Sequence, residues 1–421
     1  MNWQKIGELL PALQFDDNPC GGAMMVYHRG ECVLNTAFGQ ANKTLDWHTD
    51  TLSVNFSIGK GVMSTLIAVL VSRGILSYST PISEYWAAFG ANGKYTITLT
   101  DVLTHTAGLF DITSIIDSNE QALDWHAMLD KVANMPTATP QGQAVHHYGS
   151  AYSALVSGWV LGGVVEHATG KSLQAALDEY LAIPLGVQGE LFYGLPADKL
   201  GEIAVPLRLF DGADNPRRKP TLKPDSEAKR AFFASLPFAD KWRQCILDNG
   251  GGELNTANIN RVYFDSTKMN MTNYKHALIP DGKTPLDYHN AEFLQVPIPA
   301  ANGVSTANAL AKIYAVHAND GVWQGQQLIN TDVMNKLRCT YTQGFDAVMP
   351  ADMGWRLGFH RLFNVQGATS AYGHMGYNGS VAFCDPVREL AVAFIHNFDT
   401  TMLNDVRQFV MIEAALLAGE H

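Results

Sequence analysis

The chain has 421 residues, 47% of them apolar and 16% charged. That composition supplies a sizeable core, for one large domain or roughly two or three ordinary ones, and excludes a disordered, coiled-coil or collagen-like chain. With 29 basic against 40 acidic residues the net charge is -11, which removes the attraction that nucleic acid or an anionic membrane surface would need.

The start, Met1-Asn2-Trp3-Gln4-Lys5-Ile6-Gly7-Glu8, has no basic stretch leading into an apolar run. It therefore gives no sign of a secretory signal, and the cytoplasm is the expected location. The longest apolar run, 62–71, contains Ser64 and Thr65 and ends at Ser72-Arg73, short of the ~18 residues of a membrane span. Cys20, Cys32, Cys245, Cys339 and Cys384 are odd in number and far apart, so reduced thiols are expected rather than a disulfide framework or zinc.

In chain order, the apolar runs 23–28 and 31–37 around Arg29-Gly30 predict a β-hairpin. Residues 57–74 predict a helix apolar on nearly every face, hence buried, with Asn55 or Ser57 as cap and Gly74 at its end. Helices are also expected over 99–103 and 151–167, the latter closed by Gly170. Residues 205–300 are rich in Pro, Asn, Asp and Gly and read as irregular. Their charged stretch, from Arg217-Arg218-Lys219 to Arg230, is short and interrupted by acids, so it reads as a solvated loop rather than a basic patch. Short strands follow over 354–363, 371–376, 380–384 and 390–396, with turns at Asn378-Gly379 and Asp385-Pro386. An amphipathic helix over 402–417 closes the chain. The expected fold is α+β, an α/β sandwich whose antiparallel sheet is built from both chain ends and flanked by helices. Residues 1–75 and 300–421 would form the sheet domain, and 76–299 an inserted, mostly helical domain with long rim loops.

The first candidate for chemistry is Ser57-Ile58-Gly59-Lys60. Residues i and i+3 share a helix face, with Cβ atoms about 5–6 Å apart. A serine hydroxyl needs a base to become a nucleophile, and a lysine in a dry pocket loses its preference for the charged form. The helix N-terminus adds N–H groups and partial positive charge beside a developing oxyanion. The same spacing also arises from a capping serine and a snorkelling lysine. Ser226-Glu227-Ala228-Lys229 repeats it in a polar stretch with no apolar helix behind it, and there it reads as chance.

The second candidate is a tyrosine in the segment 146–154. Tyr148 or Tyr152, beside a lysine and partly phenolate, could shuttle the serine proton to a leaving group. Either could equally pack under a helix start. The third is Gly373-His374-Met375-Gly376-Tyr377, a strand end that could give a backbone N–H to an oxyanion hole, with glycine allowing close approach. His374 would donate a hydrogen bond to substrate, although strand histidines are commonly structural. Gly303-Val304-Ser305-Thr306-Ala307 falls one glycine short of a nucleophile elbow and has no clean strand before it, so Ser305 or Thr306 reads as a helix cap. His146-His147 lacks ligand spacing, and the zinc-protease, phosphate-loop and dinucleotide motifs are absent. No metal or cofactor is expected.

Together these segments resemble the serine β-lactamase-like hydrolases, in the branch of class C β-lactamases, family VIII carboxylesterases and D-aminopeptidase-like enzymes. The resemblance runs from about Gly21 to the C-terminus. It is carried by Asn55-Phe56-Ser57-Ile58-Gly59-Lys60-Gly61, Leu103-Thr104-His105-Thr106-Ala107-Gly108-Leu109, Tyr152 to Leu155 with Gly158 to Gly162, Asn302 to Ala307, and Gly373 to Gly376. It implies the serine β-lactamase/DD-peptidase-like fold, Ser57 as the acylated nucleophile and Lys60 as its base partner. Tyr152 would be the tyrosine, with Tyr148 as the alternative. His374-Met375-Gly376 would stand in place of the family's K-T-G, and the Ser57 and Tyr377 N–H groups would form the oxyanion hole. Two departures stand out. The asparagine of Y-x-N is Ala154, or Ser150 if Tyr148 is the base, and the K-T-G lysine is His374. A group for a substrate amide and a cation for a carboxylate are thereby lost. The expectation is a cytoplasmic serine carboxylesterase acting on short-chain, small-molecule esters, with neither nucleic acid nor membrane as partner. The alternatives are a β-lactamase or D-peptide amidase, an acyltransferase, and a catalytically silent binding protein of the same fold.

Overall fold

The computed structural model describes residues 1–15, 19–140, 149–211 and 225–420. Tyr148, His146-His147 and Arg217-Arg218-Lys219 lie outside the described residues.

Strands Gly22–His28 and Glu31–Phe38 form the expected hairpin. Its turn residues, Arg29 and Gly30, have φ of 53° and 80°, the left-handed pair that matches the twist of the flanking strands. Gly22–His28 then pairs antiparallel with Leu390–His396, Gly22 opposite His396. Val381–Asp385, Tyr372–Met375 and His360–Arg361 follow in turn, so a six-stranded antiparallel sheet closes from both chain ends.

Side chains alternate between the faces of a strand, and here both faces are apolar. Met24, Val26, Phe383, Val392 and Phe394 pack with Phe409 and Ile412 of the closing helix Arg407–Ala418. Ala23, Ala382, Ala391, Ala393 and Ile395 pack with Leu310, Ile313 and Tyr314 of helix Ala307–Ala318. Small alanines on this inner face leave room for that helix and for the buried helix Ile58–Ser72 beside strand Tyr372–Met375. A second sheet of short strands has the order Leu191–Phe192, Val304–Ser305, Leu52–Val54, Ile203–Ala204, and Leu52–Val54 feeds directly into Ser57.

Several expectations are corrected. The 205–300 region is not irregular. It holds helices Glu227–Ser235, Ala239–Asp248, Thr256–Tyr263, Met271–Leu278 and Ala291–Gln295. Ser226, Asn255, Asn270 and Asn290 each accept a backbone N–H at a helix start. The polar residues that suggested loops are therefore N-caps, and the second S-x-x-K is a cap with a helix behind it. The helix expected over 151–167 spans Val156–Thr169 and ends at Gly170, which has φ 66°. Strand structure within 354–363 is confined to His360–Arg361, and the closing helix starts at Arg407 rather than 402. Thr306 caps helix Ala307–Ala318 through Ala309 N. Among the described residues, no helix is long and apolar enough to cross a membrane.

Candidate active site

The chain enters the site along Leu52–Val54 and turns at Phe56, a non-glycine residue with φ 49°. Such a conformation costs on the order of 1–3 kcal/mol and persists where surrounding structure enforces it. Ser57 follows at the N-cap of Ile58–Ser72, but its side chain makes no capping bond. Its Oγ accepts from the Tyr152 hydroxyl at 2.9 Å and lies 3.2 Å from Lys60 Nζ.

Lys60 is 4% exposed, and its Nζ donates to the carbonyls of Ala154 at 2.7 Å and Ala300 at 2.8 Å. Burial holds its pKa well below the ordinary lysine value. A neutral amine has two N–H bonds and one lone pair. With both hydrogens given to the two carbonyls, the neutral amine would turn its lone pair to the Ser57 hydroxyl, to which Nζ donates in the structure. Ala300 reaches Lys60 because Gly158 lets it approach. A Cβ at Gly158 would stand 2.5 Å from Ala300 N.

Tyr152 is 4% exposed and lies in an extended stretch just before helix Val156–Thr169. Burial raises its pKa above the ordinary phenol value. Lys60 Nζ sits over the ring, 4.8 Å from its centroid, rather than at the phenol oxygen. Burial thus favours the protonated phenol over the partial phenolate expected from sequence, and the hydroxyl donates to Ser57.

His374 also departs from expectation. Its Nδ1 lies 3.0 Å from the Met375 carbonyl, which can only accept, so Nδ1 carries the proton. Burial above all holds the ring neutral. Nε2 is therefore an acceptor, and it has no partner among the described residues. The ring is 3% exposed and packs beside Tyr152 and His360, off the wall of the cavity at Ser57. It is not placed to donate to a substrate.

The strand end at Gly376 comes close to the serine turn, because a Cβ there would stand 3.1 Å from the Asn55 carbonyl. The next residue, Tyr377, lines the cavity at Ser57. Neither the Tyr377 nor the Ser57 N–H donates to a backbone acceptor among the described residues.

Ser57 opens into a cavity of about 80 Å³ lined by Phe56, Leu155, Ile279, Tyr288, Met349 and Tyr377 among others, with no charged side chain among the described residues. Beyond Phe56, Tyr288 and Tyr377 lies a larger cleft of about 490 Å³ with a mixed wall, bordered by Arg208, Asp287, His289 and Thr401 as well as Leu209, Leu286 and Phe398. Arg208 is ion-paired to Asp399. Sequence reasoning did not single out Tyr288, Met349 or the Ala300 carbonyl. Wall residues carry no motif, and a carbonyl ligand leaves no side-chain signature. Among the described residues, no group of three or more His, Cys, Asp or Glu is placed to hold a metal.

The β-lactamase family model matches residues 14–416. The esterase/β-lactamase LipL of Mycobacterium tuberculosis is 30% identical over 380 residues, which cover 90% of this chain and 77% of that protein. The esterase EstB of Burkholderia gladioli is 30% identical over 216 residues, covering 47% of this chain and 52% of its own. A penicillin-binding protein homologue from Caulobacter crescentus superposes with a TM-score of 0.74 at 27% identity, covering 99% of this chain and 97% of its own. A family VIII carboxylesterase shares the fold, with a TM-score of 0.71 at 24% identity and coverage of 99% and 97%. A match spanning nearly the whole chain, and a serine held between a buried lysine and a tyrosine, lead to one assignment: the chain belongs to the β-lactamase family and is a serine hydrolase.

Proposed function

We propose that the protein is a carboxylesterase that cleaves short-chain, uncharged esters through an acyl-enzyme on Ser57. Lys60 takes the Ser57 proton as Oγ attacks the ester carbonyl. The carbonyl oxygen becomes an oxyanion facing the Ser57 and Tyr377 N–H groups. As the C–O bond to the alcohol breaks, Tyr152 gives its proton to the leaving oxygen and recovers one from the Lys60 ammonium. Water then attacks the acyl carbon and Lys60 accepts its proton; as the bond to Ser57 Oγ breaks, Tyr152 gives Oγ a proton and recovers one from the Lys60 ammonium, which regenerates Ser57 and releases the acid.

The observation that carries the reading is the uncharged cavity of about 80 Å³ at Ser57. It is the smaller of the two spaces beside the serine turn and its wall is mostly apolar, which suits a short, uncharged acyl group. No cation among the described residues lines this wall to grip a carboxylate, and the Ala154 carbonyl already accepts from Lys60. Relatives named as esterases support the same reading. The larger cleft would take the alcohol part.

The test is hydrolysis of p-nitrophenyl butyrate by the protein and by Ser57→Ala, with a chromogenic cephalosporin run in parallel. Turnover of the ester should be fast and should vanish in the variant. Ester turnover that survives Ser57→Ala would refute the nucleophile, and preferential turnover of the cephalosporin would refute the ester reading.

A further inference from the structure

Tyr152 is pinned from two sides. Successive residues of an extended chain face opposite ways. Ala151 N and Ser153 N donate to His105, to its carbonyl at 2.9 Å and its Nδ1 at 3.2 Å. Ser150 Oγ and Tyr152 N donate the other way, to Asp346, at 2.6 and 3.1 Å.

Asp346 is 3% exposed and accepts five hydrogen bonds. Oδ1 takes the N–H groups of Tyr152, Val348 at 2.8 Å and Met349 at 2.9 Å. Oδ2 takes Ser150 Oγ and the Trp355 indole N–H at 3.1 Å. Trp355 in turn stacks on the Tyr152 ring, with centroids 5.3 Å apart and planes 15° from parallel. One carboxylate thus holds Tyr152 by its backbone and by its ring. Through Met349 it also holds a wall of the cavity at Ser57. A buried carboxylate is costly unless donors surround it, and here most of its lone-pair sites are committed to this one segment.

We propose that Asp346 is the positioning residue of Tyr152, setting the phenol against Ser57 Oγ through the Tyr152 N–H and the Trp355 indole. The inference rests on the proposed role of Tyr152 as the acid. Asparagine at this position keeps an oxygen for the three backbone donors but presents an NH2 group to the Trp355 N–H. Trp355 then loses its acceptor, and the ring stacked on it loses its stop.

The experiment is a double-mutant cycle on p-nitrophenyl butyrate with Asp346→Asn and Tyr152→Phe. Misplacement of a catalytic group by about 1 Å costs about 10²-fold, so Asp346→Asn should lower kcat about 10- to 100-fold with KM nearly unchanged. In the Tyr152→Phe background the same substitution should change kcat by less than about threefold, because the group it positions is gone. Equal losses in both backgrounds would overturn the inference while leaving the Tyr152 mechanism intact. Full activity of Tyr152→Phe alone would overturn both. If Asp346→Asn does not fold, Trp355→Phe, which keeps a ring and removes the indole N–H, runs the same cycle with a smaller loss and the same two readings.

Discussion

Lys60 shows what burial does to a single residue. Its ammonium has carbonyl oxygens to donate to but is deeply buried, so the neutral form is favoured. Burial pushes Tyr152 the opposite way, toward its neutral phenol. Burial thus biases both groups toward their uncharged forms, as the proposed base and acid require. The pH dependence follows with a definite sign. kcat/KM should rise with pH through the depressed Lys60 pKa and stay level until Tyr152 ionises, above the ordinary phenol range. Arginine keeps a charge at this position but does not release a proton at working pH. Lys60→Arg should therefore lose about 10²- to 10⁴-fold in kcat, as much as Lys60→Met. Retention of a tenth of the activity by the arginine variant would mean that charge, not basicity, is what Lys60 supplies.

At the scale of elements, the site depends on how closely the Val156–Thr169 helix approaches the 299–300 segment. Gly158 sets that distance, since a Cβ there would meet Ala300 N at 2.5 Å. Gly158→Ala should push Ala300 away from Lys60, destabilise the fold by about 1–3 kcal/mol and lower kcat more than it raises KM. Unchanged stability and kcat would show that the segment yields without cost. This crossing also marks the limit of what the sequence revealed. Helix Ile58–Ser72 and strand Leu390–His396 were legible because continuous apolar runs leave only burial as an explanation. Ser57, Lys60 and Tyr152 were legible as residue types with a spacing. The helices of 227–278 were not, because their Ser and Asn caps look like turn residues. Asp346 and Trp355 act on Tyr152 from about two hundred residues downstream, and no local pattern reports such a contact. His374 was visible on its strand, but its role as donor or acceptor depended on which atom the Met375 carbonyl engaged.

For the whole molecule, closing the sheet from both chain ends places the last helix, Arg407–Ala418, across its outer face. Helices Ala239–Asp248 and Thr256–Tyr263 cover that helix in turn through Trp242 and Tyr263. This layer buries Glu413 completely. Its Oε1 accepts from Tyr263 Oη at 2.9 Å and Val365 N at 2.8 Å, while Tyr263 Oη itself accepts from the Trp242 indole at 2.6 Å. Burial raises the Glu413 carboxyl from 4.5 to about 7. Below the ordinary value the group is protonated in both the folded and unfolded chain and contributes nothing to pH dependence. Between that value and about 7 the folded chain keeps a proton that the unfolded chain releases. Stability therefore falls as pH rises through this window, by a total on the order of 3 kcal/mol. Glutamine is uncharged at every pH and keeps an oxygen for Tyr263 and Val365, so Glu413→Gln should remove this slope. In urea unfolding, the variant's stability relative to the parent should increase from pH 5 to pH 8. A difference that stays constant across that range would place the pH sensitivity elsewhere in the molecule and leave Glu413 as a protonated structural acid at both pH values.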